Sequence, residues 1–389
     1  MRRFPIFCAL ILGFTSSATA QTPADFSNSD ATRDLQDRVC STCHQDKLVS
    51  YQRTAHYRTS RMPTKNSVAG SFAPGKNTMT TFNPELSFRM EEHDGSFYQT
   101  ELSDKPNQPV RRSEQIGIVV GSATKGQTYL YWRGDRLFEL PVSYWTALKS
   151  WVNSPGYIDG SADFDRPVTP RCLECHATFF EPSTPSPSDN QYNTQNFVLG
   201  ISCERCHGTS GMHVDTASNT ASGPTQNPLP PVGLARERQI DICGQCHGGV
   251  GKPIAPSFSF HPGETLSQYL SLPQPGPKEK VDVHGNQVAL LERSLCYQSS
   301  STMSCSTCHD VHAPELPAAS YSSVCLQCHP PKDCGMFAKR GSAIAQDCID
   351  CHMPVQDSQS LALDTDAETR LPAKVRNHWI RVYTKTNTR

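Results

Sequence analysis

The chain has 389 residues, but only 36% are hydrophobic and 30 are prolines, a composition poor in side chains for an ordinary globular core. Another component must therefore contribute to the interior. The formal charge of -1 provides no basic surface for nucleic acid, so we expect no nucleic-acid partner.

The amino terminus has the three zones of a secretory signal peptide. Arg2 and Arg3 are followed by an apolar run over residues 4–14 and by small residues before Ala20. We predict that residues 1–20 form a signal peptide and that cleavage follows Ala20. No later apolar run is long enough to span a bilayer, so we expect a periplasmic or otherwise exported chain without a transmembrane segment after cleavage.

Cysteine usage is the most informative feature of the sequence. Cys8 lies in the predicted signal peptide, and free thiols rarely persist after export unless they are bonded. Fourteen of the 17 cysteines fall in seven C-x-x-C-H motifs, numbered 1 to 7 in chain order: Cys40/Cys43/His44, Cys172/Cys175/His176, Cys203/Cys206/His207, Cys243/Cys246/His247, Cys305/Cys308/His309, Cys325/Cys328/His329 and Cys348/Cys351/His352.

This pentapeptide matches the chemistry of covalent haem attachment. Two cysteines three residues apart form thioethers to the two vinyl groups of one haem, and the adjoining histidine is the proximal iron ligand. Zinc and dithiol sites also use C-x-x-C pairs, but neither requires the histidine. We predict seven covalently bound haem c groups, whose porphyrins supply much of the missing apolar core.

The motifs divide the mature chain into four segments. We predict a first haem segment at 21–77, a β-rich insertion at 78–160, a haem segment with three motifs at 161–255, and a last segment at 256–389. This last segment has three motifs and a tail that supplies a distal histidine. In the insertion, β-favouring residues flank Gly134 and Asp135 as in a hairpin. Its aromatic residues, from 129 to 151, form either the hairpin core, a docking surface or a haem lining.

Elsewhere we expect short helices and coil wrapped around stacked haems. The predicted fold class is therefore a mainly α and coil multihaem cytochrome with a small antiparallel β insertion. Motifs 5, 6 and 7 start about twenty residues apart, too close for independent domains, so their haems must be neighbours.

Seven histidines remain as possible distal ligands. His312 is too close to His309 to reach the opposite face of the same iron, so it should serve a neighbouring haem. His93 and His261 have the sequence surroundings of solvated loops. Without those two, one or two irons are five-coordinate or bind Met303 or Met353. Our candidate distal ligands are His56, His213, His312, His378 and His284.

Cys296 and Cys334 are the cysteines outside the motifs and the signal peptide. A mutual disulfide is the simplest assignment in an oxidising compartment. A buried free thiol and an unusual iron ligand are the alternatives, because spacing along the chain does not establish contact.

The sequence resembles multihaem c-type cytochromes, a family that includes the tetrahaem cytochrome c of ammonia-oxidising bacteria and proteins with doubled C-x-x-C-H motifs. The resemblance rests on motif 3 with His213 downstream, and on motif 5 with His312, followed by motif 6. It implies an exported electron carrier with stacked haems and largely bis-histidine ligation, in which His213 and His312 are distal ligands of neighbouring haems. This chain differs in having seven motifs and the β insertion.

Three functions remain open at this level. The first is electron transfer along closely packed haems between redox partners, either other cytochromes or a membrane quinol-oxidising complex. The second is a multihaem oxidoreductase with one open catalytic haem, acting on a small nitrogen compound such as nitrite or hydroxylamine. The third is a structural subunit of an extended cytochrome assembly.

Overall fold

The computed structural model describes residues 29–103, 110–208, 230–364 and 370–383. The predicted signal peptide at 1–20 and His213 lie outside these ranges. The structure is 26% helical and 28% strand, so the prediction of a mainly α fold is wrong. Among the described residues, no helix combines the length and apolarity needed to cross a lipid bilayer.

The helices are mostly one or two turns long. They are α1 Ser29–Tyr51, α2 Pro170–Glu174, α3 Glu204–His207, α4 Arg236–His247, α5 Gln287–Glu292, α6 Leu295–Ser299, α7 Ser322–Cys325, α8 Phe337–Arg340 and α9 Cys348–His352. Short 3-10 turns occur at Pro231–Gly233, Leu266–Gln268, Cys305–Thr307, Ala318–Tyr321, Pro331–Asp333 and Gly341–Gln346.

The strands are concentrated between motifs 1 and 2. They are β1 Ser60–Arg61, β2 Thr78–Thr80, β3 Leu86–His93, β4 Ser96–Ser103, β5 Val110–Gln115, β6 Ile118–Val120, β7 Gly126–Arg133, β8 Arg136–Glu139, β9 Val142–Trp145, β10 Ser150–Asn153, β11 Ala177–Pro182, β12 Tyr192–Leu199, β13 Lys252–Pro253, β14 Leu270–Ser271, β15 Val355–Asp364 and β16 Arg370–Arg376.

Two antiparallel sheets dominate this region. A six-stranded sheet has the order β1-β6-β7-β9-β10, with β8 paired to β7, and a four-stranded sheet has the order β2-β3-β4-β5. The hairpin predicted around Gly134 and Asp135 is confirmed, because β7 and β8 pair from Leu130 with Glu139 to Arg133 with Arg136. The sheet also recruits β1, which lies in the predicted first haem segment.

The six-stranded sheet buries both of its faces, as the alternation of side chains along β7 shows. Tyr129 and Tyr131 point into an apolar cluster shared with Phe88 and Met90 of the four-stranded sheet. Leu130 points the other way, into a second cluster formed with α2 and the β11–β12 hairpin. Of the three alternatives, the structure therefore supports the first, because the aromatic residues of the insertion form its core.

The fold-class prediction failed because it extrapolated from the motifs. A C-x-x-C-H motif needs only about one helical turn, which leaves the residues between motifs free to pair as strands. Motifs 2 and 3 are joined by the β11–β12 hairpin, and the chain after motif 7 forms the β15–β16 hairpin. Both hairpins lie in segments for which we expected helix and coil.

Candidate functional site

All seven motifs line one cavity of about 4540 Å³. Sites for single small ligands usually enclose roughly 300–1,000 Å³, so this cavity has room for several large groups. Four of the candidate distal histidines also border it: His56, His284, His312 and His378. The three residues of each motif thus face a common space, although the motifs span more than 300 positions of the sequence.

A helical turn brings the three residues of a motif onto one side. Residues i, i+3 and i+4 of a helix share a face, which is the spacing of the two cysteines and the histidine. In motifs 3, 5 and 6 the turn closes by a hydrogen bond from the histidine N–H to the carbonyl of the first cysteine, at 3.0, 3.0 and 2.9 Å. Motif 1 lies in α1, which kinks at His44.

Motifs that are distant in sequence abut through their thiols. A hydrogen bond from Cys203 lowers the pKa of Cys40, which brings motifs 1 and 3 together. A hydrogen bond from Cys246 lowers the pKa of Cys175 to about 7, which joins motifs 2 and 4. Motifs 4 and 5 meet in the same way, through Cys243 and Cys305. Groups attached to these cysteines must be neighbours.

Three distal candidates face proximal histidines of other motifs. The ring centroids of His56 and His247 are 6.1 Å apart, those of His207 and His312 are 5.9 Å apart, and those of His309 and His378 are 6.2 Å apart.

An iron ion between the two rings of each pair would account for these distances. A metal–nitrogen bond of about 2 Å on each side of one ion, plus the radius of an imidazole ring on each side, separates two centroids by about 6 Å. The donor set therefore fits c-type haem: the paired thiols and the adjoining imidazole would hold it, and the facing imidazole would supply a second nitrogen ligand.

Hydrogen bonds to Nδ1 orient several of these rings. His352 and His378 donate from Nδ1 to the carbonyls of Arg381 and Arg376, at 2.9 and 3.2 Å. Nδ1 of His247 lies 3.3 Å from Oε1 of Gln287. Such partners fix the tautomer and leave Nε2 free to bind a metal.

Burial keeps three of the distal candidates neutral. It lowers the pKa of His56 and of His378 to about 4, and it also lowers the pKa of His284. It likewise lowers the pKa of the proximal His176 to about 4, with a smaller effect from His284. A neutral imidazole is the form that ligates a metal, so these rings are ready to bind at neutral pH.

His93 and His261 are exposed and do not border the cavity. Met303 and Met353, the candidate methionine ligands, do line it. Among the described residues, no three His, Cys, Asp or Glu side chains converge as a bare metal ion would require.

The thiols of Cys296 and Cys334 are both free in the structure, and each lies beside a different motif. The pKa of Cys308 is raised by burial and then by nearby Cys296, while that of Cys351 is raised by burial with a smaller effect from Cys334. The disulfide alternative therefore gains no support.

Sequence reasoning found the motif residues because all of their chemistry is local. It missed Thr59, whose hydroxyl lies 3.1 Å from Nδ1 of His176, and Ser60, which donates to the His176 carbonyl at 2.6 Å. Ser60 begins β1 and Thr59 directly precedes it, more than 100 positions before His176, and no motif marks them. The six-stranded sheet thereby orients one of the proximal ligands.

The donor set of the cavity fits covalently bound haem c. A family model described as cytochrome c554 and c-prime matches residues 146–208, the part of the chain that contains motifs 2 and 3. This match supports a relation to the c-type cytochromes, a family whose haem groups transfer electrons. No curated protein and no solved structure matches the chain.

Proposed function

We propose that this protein is an exported heptahaem c-type cytochrome that transfers electrons along closely packed haems between redox partners. Its partners would be other cytochromes or a membrane quinol-oxidising complex, and its location the periplasm or another exported site. The observation that carries the proposal is the single cavity lined by all seven motifs and by four further histidines.

Bound haem c supplies an iron that exchanges one electron. The chain would hold each haem through two thioethers and a proximal histidine, and we assign distal ligands from the histidine pairs. His56 would serve the haem of motif 4, His312 that of motif 3, and His378 that of motif 5. Beyond the effect of burial, His284 lowers the pKa of both His176 and His247. Because His247 is already paired with His56, we assign His284 to motif 2.

The thiol contacts support a continuous path. They link motifs 1 and 3, motifs 2 and 4, and motifs 4 and 5. The pKa of Cys243 of motif 4 is raised by a hydrogen bond, by burial and also by Cys206 of motif 3, which joins these links into one series. Cys325 extends the series, since its pKa is raised by burial and then by Cys348 of motif 7 and Cys308 of motif 5. An electron entering at one motif would therefore find a neighbouring haem at each step.

The first experiment is pyridine haemochrome quantification of the full chain after expression with haem attachment, together with a carbon monoxide difference spectrum. We expect seven haems per chain. Markedly fewer haems would contradict the proposal. Binding of nitrite or hydroxylamine to the unmodified protein would favour the oxidoreductase alternative, because its substrate must reach an iron with an open face.

The distal assignments are tested by His378→Ala, with His261→Ala as the matched control. Removing His378 should open the iron bound by His309 and raise carbon monoxide binding by one haem per chain, with the haem count unchanged. His261 is exposed and does not border the cavity, so its replacement should leave the spectrum as it was. An equal response from both variants would refute the assignment.

A further inference from the structure

Motifs 2 and 4 pack against each other through reciprocal contacts. The Cys175 thiol lies 3.9 Å from the carbonyl oxygen of Gln245, and the Cys246 thiol lies 3.7 Å from that of Glu174. Each contact joins the second cysteine of one motif to the residue just before the second cysteine of the other. The carboxyl-terminal ends of α2 and α4 are therefore held face to face.

A buried arginine links the two helix ends through hydrogen bonds. Arg171 is 9% exposed and precedes the first cysteine of motif 2. Its guanidinium donates to the carbonyl of Val250 at 2.5 Å and to the carbonyls of Gln245 and Gly249 at 2.7 and 3.4 Å. All three carbonyls belong to the end of α4 or to the turn that follows it, so the side chain just before motif 2 holds the helix end that carries motif 4.

The guanidinium of Arg171 also forms an ion pair with Glu174. Oε2 of Glu174 lies 3.2 Å from Nη1 of Arg171, and its Oε1 accepts a hydrogen bond from the backbone N–H of Phe258 at 2.8 Å. The ion pair is largely buried, and burying two charges is unfavourable unless hydrogen bonds compensate for the lost hydration. The planar guanidinium of Arg171 has enough N–H donors to reach four acceptors. The single ammonium nitrogen of a lysine could not reach all four.

We infer that Arg171 is a positioning residue that holds motif 2 against motif 4 and whose fixed positive charge raises the reduction potentials of the two haems attached there. The inference rests on the proposed function. A cation in a poorly screened interior favours the haem state that has gained an electron, and Glu174 partly offsets this effect. The two side chains should therefore shift the same potentials in opposite directions.

The test is a spectroelectrochemical titration of the full haem-loaded chain, run beside a haem count. Arg171→Gln should lower two of the seven potentials, since it removes the cation and leaves Glu174 uncompensated. Glu174→Gln should raise the same two. Arg133→Gln is the control, because it removes an exposed ion pair with Asp165 that is not part of the cavity wall, and it should shift none.

The haem count separates the two claims. Too few haems in the unmodified protein refutes the proposed function, whereas a full count with potentials unchanged in Arg171→Gln and Glu174→Gln refutes only the inference. Shifts of the same sign in both variants would also refute it, because they indicate a general loss of packing. If Arg171→Gln loses haem, Glu174→Gln decides alone: raised potentials support the inference and unchanged potentials overturn it.

Discussion

Glu139 is a buried carboxyl in the six-stranded sheet, and it should make that sheet less stable at high pH. It ends β8, and its Oε2 lies 3.2 Å from Nη1 of Arg166. Burial raises its pKa from 4.5 to about 7, although Arg166 acts in the opposite direction and Asp163 adds to the rise. The folded chain therefore holds a proton that the unfolded chain releases.

The size of the effect follows from linkage. Between pH 4.5 and 7 the folded state binds more protons at Glu139 than the unfolded state does, so stability falls as pH rises through this window. Each unit of pKa shift corresponds to about 1.4 kcal/mol, so the change from pH 4 to pH 8 is about 3 kcal/mol, on the order of a hundredfold in an opening constant. Glu139→Gln removes the titrating proton and should abolish this contribution.

Hydrogen-exchange mass spectrometry of peptides from Gly126–Arg133 and Arg136–Glu139 measures this opening locally. The quantity to follow is the ratio of amide protection in Glu139→Gln to that in the unmodified chain at the same pH. We expect this ratio to rise on the order of a hundredfold from pH 4 to pH 8. Comparison at equal pH cancels the intrinsic exchange rate. A ratio that is the same at both pH values would refute the reasoning.

Two further predictions concern elements that support the cavity. Phe180→Ala removes a fully buried ring stacked on Phe197 at 4.9 Å and should cost about 3–5 kcal/mol, which calorimetry would register as a lower melting temperature. Burial alone would raise the pKa of Asp282, but hydrogen bonds from Ser360 and its neighbours lower it to about 2. The ionised Asp282 should therefore stabilise the β15–β16 hairpin above pH 4, and this stabilisation should be lost as the pH falls toward 2. Asp282→Asn should abolish this acid-dependent loss and speed hydrogen exchange of Val355–Asp364 at neutral pH.

Some of the fold could be predicted because its determinants are local. The hairpin of β7 and β8 is defined by strand-forming residues on either side of Gly134 and Asp135, and the structure has it in that register. The pairing of Ser60 with Val120 is different, since nothing near either residue specifies the other. Overestimating helix was the same error on a larger scale, because the motifs fix single turns and long-range pairing decides the structure between them.

The candidate site, like the fold, could be predicted only where its determinants are local. A motif is complete within five residues, so its two thiols and its histidine were visible in the sequence. The histidine pairs are not, because His56 faces His247 across 191 positions and His309 faces His378 across 69. Only the folded chain reveals such partners, and an iron between them would act as a cross-link between distant segments. By the logic of loop closure, ligation should then stabilise the whole assembly most where the linked residues are farthest apart, which makes His56 the distal ligand whose loss should loosen the fold most.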